Sequence, residues 1–249
     1  MKENQERELI EFLEAHKSAT IDEIAAALYV SPSTARRRLK SLQAKGLVKR
    51  THGGAQIDDE KNYLPSFSFR THSNSLEKKK MALAAIKLIK NGDVVFLDGS
   101  TSSYYVAEYL ANFENLKVFT NGIDTLSLLS KYKINAYSTG GKVSDENRSV
   151  LVGHYAENTL LNLHADVAFL SARSVNDQGE VYDCFEQEIA LRLAMLRNAT
   201  RRVLLCDSTK LDTSSPFKLG SVNDFDYFVC DKPTDGYFKT PVRAQILHP

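Results

Sequence analysis

No run of apolar residues in this 249-residue chain approaches the ~20 needed to span a bilayer, so a membrane protein is not expected. Cysteine is scarce. Cys184, Cys206 and Cys230 are odd in number and far apart, which fits neither a disulfide framework nor a metal site. Cys206 and Cys230 sit inside apolar runs and read as buried filler. The opening MKENQEREL lacks the apolar core of a secretory signal, and with the cysteine usage this points to a reducing, cytoplasmic setting. Internal repeats and low-complexity segments are also missing. What is present is ordinary globular composition, 43% hydrophobic and 25% charged, in enough chain for a small domain joined to a medium one.

The formal net charge of +1 is uninformative, but its distribution is not. Residues 1–57 hold 10 Lys/Arg against 7 Asp/Glu, and from Arg36 to Arg50 there are seven basic residues and no acidic one. Such a run is either a solvated face or a surface for a polyanion, and the local periodicity decides between them.

The first ~55 residues read as short helices followed by a hairpin, the remainder as alternating strands and helices. Leu9, Ile10 and Leu13 mark one side of a first helix, about Asn4 to His16. Thr20 and Glu23 form a capping-box pattern for a second, whose apolar face is Ile21, Ile24, Ala25 and Leu28. After the tight turn at Tyr29-Val30, Ser31 caps a third helix, Pro32 takes its first position and Gly46 ends it. This is a helix-turn-helix, and LVKRTHGGAQI, folding back around Gly53-Gly54, adds a wing.

On the third helix each residue advances about 100°, so the stripe Ala35, Leu39, Leu42 fixes every other position. Arg37 falls opposite the stripe with Ser33 and Lys40 beside it, Arg36 lies on the same outer side, and Arg38 leans toward the core. A second helix of this motif enters the DNA major groove, so Ser33, Thr34, Arg36, Arg37 and Lys40 are the expected groove residues, with Arg37 reading bases. Lys45, Lys49, Arg50 and His52 are placed for phosphates. A consistent order of cap, turn, basic outer face and wing favours double-stranded DNA over a solvated face.

A polar stretch from Asp58 to Ser75 reads as a linker, in which Phe67 and Phe69 suggest partial docking. From residue 76 to 249, strands around VVFLD, KVFT, INAYST, ADVAFLSA, RVLLCDS and DYFVCD alternate with helices, the pattern of a mainly parallel sheet. Polar residues cluster at strand ends: Asp98, Gly99, Ser100, Thr101 and Ser102; Thr120 and Asn121; Gly140 and Gly141; Asp207 and Lys210. Singly these are turn residues; together they suggest a pocket in which a helix start cradles an anion while Lys210 adds a cation and Asp98, Asn121 and Asp207 orient hydroxyls. A phosphorylated sugar or polyol fits that chemistry. Arg173 either contacts an acidic ligand or pairs with Glu188.

The stretch VSPSTARRRLKSLQAKGLVKRTHGGA resembles the winged helix-turn-helix of the DeoR family of bacterial transcriptional regulators. VVFLDGSTSS, FTNG, STGGKV, DVAFLSA and LLCDSTKL follow in the order of that family's sensor motifs, so the resemblance spans nearly the whole chain. One position departs: the family usually has an aspartate where this chain has Arg38. The resemblance implies a Rossmann-like, sugar-phosphate-isomerase-like sensor domain, a sugar-phosphate effector, and no catalysis, metal or cofactor. A homo-oligomeric repressor of carbohydrate metabolism genes, binding repeated operator half-sites, is the expectation. The rival readings are a sugar-phosphate isomerase using Asp98, Asp183, Glu188 or Asp207 as proton carrier, and a scaffold protein with a vestigial pocket.

Overall fold

The computed structural model describes residues 8–10, 12–13, 16–44, 48–56 and 66–249. The chain divides into two compact units, Met1–Ser75 and Leu76–Pro249.

In the first unit, residues 8–10, 12, 13 and 16 are helical and bury Leu9, Ile10 and Leu13. Strand β1 (Ser18–Thr20) leads into helix α1 (Ile21–Ala27), then α2 (Pro32–Ala44), strands β2 (Lys49–Thr51) and β3 (Gly54–Gln56), and helix α3 (Phe67–His72). Thr20 Oγ1 accepts from the Glu23 N–H while the Glu23 carboxylate accepts from the Thr20 N–H, completing the expected capping box. Ser31 Oγ accepts from the Thr34 N–H at 3.2 Å, so the start of α2 is capped as its sequence implies. Ala35, Leu39 and Leu42 are fully buried and pack with Leu9, Ile10, Leu13, Ile24 and Phe69.

β2 and β3 form the wing, with Arg50 opposite Ala55 and Thr51 opposite Gly54. β1, not foreseen, pairs along the other side of β3 and gives the order β1-β3-β2. Gly54 is what permits this approach, because a Cβ there would stand 2.1 Å from the Ala19 carbonyl oxygen. Asp58 to Pro65 of the expected linker, with Lys45 and Gly46, lie outside the described residues. Of the linker's remainder, α3 is ordered helix whose Phe69 joins the first unit's core.

The second unit runs α4 (Ser75–Ala85), β4 (Val94–Leu97), α5 (Thr101–Ala107), β5 (Lys117–Thr120), α6 (Ile123–Lys131), β6 (Ala136–Ser138), β7 (Lys142–Val143), β8 (Leu151–Val152) and α7 (His154–Leu161). It continues with β9 (Ala165–Ser171), β10 (Ser174–Val175), β11 (Glu180–Asp183), α8 (Glu186–Arg197), β12 (Ala199–Leu205), β13 (Phe217–Ser221), β14 (Tyr227–Val229) and β15 (Gln245–Leu247). Seven strands make one parallel sheet, ordered β15-β14-β12-β9-β4-β5-β6. It is buried on both faces. Phe96, Ala168, Leu170, Leu204 and Phe228 pack in one core, while Val95, Leu97, Val167, Phe169, Val203 and Val229 pack in the other. This period-two division within continuous apolar runs is what a parallel sheet covered by helices requires. Cys206 and Cys230 are fully buried in the first of these cores, as expected.

The sheet grows from β4 in two directions, toward β6 through β5 and toward β15 through β9. The crevice at the carboxyl ends of β4 and β9 is therefore the topological switch point, where ligands settle in open parallel sheets. The hairpin β7–β8 packs over this end: Val150 bridges to Gly122, and a Cβ on Gly99 would meet Val150 Cγ1 at 2.2 Å. A small antiparallel sheet, β10-β11-β13, was not anticipated from sequence.

Candidate functional site

The basic helix presents its residues as the helical wheel predicts. Arg36, Arg37 and Lys40 are exposed, whereas Arg38 is half-buried on the flank of the core stripe. The Ser33 and Thr34 hydroxyls both bond the capping Ser31 Oγ, at 2.9 and 3.0 Å, so they share its cap network. Lys49 and His52 are exposed on the wing. Arg50, also on the wing, is half-buried, and its Nε donates to the Gly54 carbonyl at 3.2 Å. Its guanidinium thus braces the wing's turn.

At the switch point Asp98, one of the predicted effector residues, meets a group that sequence reading missed. Arg192, on α8, is buried and lies 3.0 Å from each of Asp98, Asp183 and Glu188. Its Nε donates to Asp98 and its Nη2 to Glu188, while the approach of Nη1 to Asp183 is an ion pair without hydrogen-bond alignment. Burial opposes its charge, but the three carboxylates raise its pKa, so it stays protonated. Asp98 also accepts from the Ser100 N–H, the Ser103 hydroxyl and the Ser171 N–H. Burial alone would raise its pKa; the Arg192 guanidinium and these hydrogen bonds outweigh that and hold it below the usual carboxylate range. With every contact internal and 1% exposure, Asp98 ties the ends of β4 and β9 to α8 rather than offering an edge to ligand hydroxyls.

Next to this knot, Lys210 Nζ donates to Ser171 Oγ at 2.7 Å, and Ser171 Oγ donates to the Leu205 carbonyl and touches Ser102 Oγ at 3.3 Å. Asp207 takes the Thr209 hydroxyl on one oxygen, while the other lies 3.6 Å from Lys210 Nζ and has no hydrogen-bond partner. Burial pushes the Asp207 pKa up, but Lys210, the Thr209 hydroxyl and Lys78 more than offset this and hold it low. Lys78 is a second buried cation, on α4, that sequence reading passed over. Its signal was available: Met81, Ala82 and Ala85 follow it at helical spacing and are all buried, so Lys78 sits on the inward face.

Asn121, 2% exposed, donates to the Leu151 carbonyl and leaves its Oδ1 unpartnered. Thr120 Oγ1 accepts from the Gly122 N–H, a turn-forming role. Gly99, Ser100, Thr101 and Ser102 are all buried at the junction of β4 and α5, where Ser100 Oγ already takes the Ser103 N–H. Gly140 and Gly141 occupy an exposed turn at φ +70° and +106°, the left-handed conformations glycine adopts without strain. Arg173 is exposed, and Glu188 is bonded by Arg192 and Asn147, so of the two alternatives for Arg173 the pair with Glu188 is not formed.

None of the three cysteines is an activated nucleophile: burial pushes the Cys184 thiol up to about 12, and Cys206 and Cys230 are likewise raised. Among the described residues no cluster of three His, Cys, Asp or Glu is arranged to hold a metal, and no helix is long and apolar enough to cross a membrane.

A winged helix-turn-helix with a basic outer face, joined to a parallel sheet whose polar strand ends converge at its switch point, defines a DNA-binding regulator with a sensor unit. Residues 6–61 match the DeoR-like helix-turn-helix domain and residues 73–232 the DeoR C-terminal sensor domain. The chain belongs to the DeoR family of helix-turn-helix transcriptional regulators. It is 32% identical over 225 residues to the transcriptional repressor GlcR of Bacillus subtilis, covering 90% of this chain and 86% of that one. It is 30% identical over 227 residues to the regulator GolR of Listeria innocua, covering 91% and 89%. An L-fucose operon activator of Haemophilus influenzae is 28% identical over 224 residues, covering 90% of each. Among solved structures, ribose 5-phosphate isomerase A of Methanocaldococcus jannaschii aligns with 56% of this chain and 55% of its own at 20% identity and a TM-score of 0.41.

Proposed function

We propose that this regulator binds a phosphorylated sugar or polyol at the carboxyl ends of β4 and β9, and that occupancy changes its affinity for operator DNA. The observation that carries this is the pairing of cations with unsatisfied acceptors: Lys210 and Lys78 near Asp207, with Asp207 Oδ2 and Asn121 Oδ1 buried and lacking hydrogen-bond partners. Buried acceptors without partners are costly, and ligand hydroxyls would satisfy them while the lysines take a phosphate. Ser102, Ser171 and the backbone at Gly99–Thr101 complete the proposed site. The relatives' roles, a transcriptional repressor and an L-fucose operon activator, support control of a sugar operon in either direction. Operator contacts are assigned to Arg36, Arg37 and Lys40 in the groove and to Lys49 and His52 on the backbone. The working form is a cytoplasmic homo-oligomer with two states that differ in affinity for effector and for DNA.

The isomerase alternative draws little support. A proton carrier requires a carboxylate poised near neutrality, whereas Asp98 and Asp207 are held low, and Asp183 and Glu188 are committed to Arg192. Thermal melting against a panel of phosphorylated sugars tests the proposal, since a ligand at 100 times its dissociation constant adds ~2.7 kcal/mol of stability. One or more should raise the sensor transition without being turned over, and Lys210→Ala should abolish the shift while sparing DNA binding. Failure of every phosphosugar to stabilise the protein, or a normal response from Lys210→Ala, would sink the assignment.

A further inference from the structure

Tyr29 occupies the turn between α1 and α2 with φ +50° and 97% of its surface exposed. Both facts run against its chemistry. The left-handed region crowds the Cβ of any L-residue, most of all a bulky one, and glycine would adopt it freely. A tyrosine ring is a large apolar body that folding ordinarily covers. Among the described residues nothing packs on this ring: its neighbours Leu28 and Val30 are partly buried against the core, and the turn is closed by backbone bonds from Val30 N–H to Ala25 and from Tyr29 N–H to Ala26. The helix ending itself requires a left-handed residue at this position, marked by the Val30 N–H to Ala25 bond, but it would be met by glycine; what the fold does not account for is a tyrosine there with its ring left in solvent.

The location names the partner. In a helix-turn-helix the second helix enters the major groove at its N-terminal end while the first crosses the sugar-phosphate backbone. In that geometry the turn joining them, two residues before Ser31, stands at the groove's wall ahead of a helix whose Arg36 and Arg37 are exposed. We propose that Tyr29 is a DNA-backbone contact, its hydroxyl donating to a phosphate oxygen at the mouth of the groove. Tyrosine hydroxyls are among the ordinary donors to phosphate. The contact positions the recognition helix without reading sequence. Because the tyrosine is neutral, it releases no counterion, so it contributes affinity without steepening the salt dependence.

Full-length wild type, Tyr29→Phe and Tyr29→Gly are compared by fluorescence anisotropy on a mixed-sequence DNA duplex across a salt series, with melting temperature and sedimentation measured in parallel. Tyr29→Phe should bind roughly tenfold to a hundredfold more weakly at every salt concentration, the loss expected for one hydrogen bond to a charged acceptor, with an unchanged slope of log affinity against log salt. Tyr29→Gly should bind as weakly as Tyr29→Phe or worse, yet melt at the same or a higher temperature because the turn is relieved. That opposition of signs separates a binding role from a structural one. Wild-type affinity in Tyr29→Phe, a lower melting temperature in Tyr29→Gly that accounts for its weaker binding, a changed salt slope, or an altered subunit number would each overturn the assignment.

Discussion

Replacing Arg192 by methionine removes the cation shared by Asp98, Asp183 and Glu188 while keeping a side chain of similar length. Asp98 retains three hydrogen bonds, from the Ser100 N–H, Ser103 hydroxyl and Ser171 N–H. Asp183 keeps the Cys184 N–H and Glu188 the Asn147 amide, so these two acids lose the larger share of their compensation. Removing one partner of a buried ion pair costs about 3–5 kcal/mol. At about 2–4 °C per kcal/mol for a domain of this size, the sensor transition should fall by roughly 6–20 °C. The pH dependence is the sharper test. In the wild type Asp98 is held low, so its contribution is present above its unfolded pKa of about 4 and is lost as pH falls through the lower folded value. In Arg192→Met, burial of Asp98 without that counter-charge raises its carboxyl, so the folded state takes up a proton before the unfolded one. The variant's deficit should therefore be greatest near neutrality and shrink as the pH is lowered toward about 5. Circular dichroism melts at a series of pH values measure both. A deficit under about 2 °C, or one that does not vary with pH, would refute the view that Arg192 compensates these acids.

Two further outcomes follow from the DNA-binding unit. Arg37→Ala should retain the fold, since Arg37 is exposed opposite Ala35, Leu39 and Leu42, while losing ~1–3 kcal/mol of discrimination at one base pair; selection of binding sites from a random pool that returns the wild-type consensus would contradict base reading. Gly54→Ala should force β3 from β1, because the added carbon would stand 2.1 Å from the Ala19 carbonyl, and should cost about 1–3 kcal/mol of domain stability; an unchanged melting temperature would show that the wing tolerates the shift.

Much of the first unit was legible because its signals are local. The Thr20–Glu23 capping box, the Ser31 cap and the stripe Ala35, Leu39, Leu42 act within one or two helical turns, so spacing alone fixes which face is inward. From that face the exposure of Arg36, Arg37 and Lys40 and the half-burial of Arg38 follow by rotation. The parallel strands were legible for the same reason, as continuous apolar runs bounded by turn residues. The short strands were not. β1, β10 and the β7–β8 hairpin are two or three residues long, too short for any periodicity, and exist only because a partner strand pairs with them.

The sequence by itself determined the kind of protein this is, since caps, helical spacing and ordered motifs are properties of neighbours along the chain. It also determined which strand ends would be polar. Tertiary structure alone decided what those polar residues do. Asp98 and Arg192 are 94 positions apart, and only the folding of α8 against the ends of β4 and β9 makes the aspartate an internal brace instead of a ligand contact. In the same way Lys78 acts on Asp207 only because the packing of α4 brings its charge near that carboxylate. A charged side chain's role is set by what desolvates it and what stands within a few ångströms, and neither is written in its neighbours along the chain.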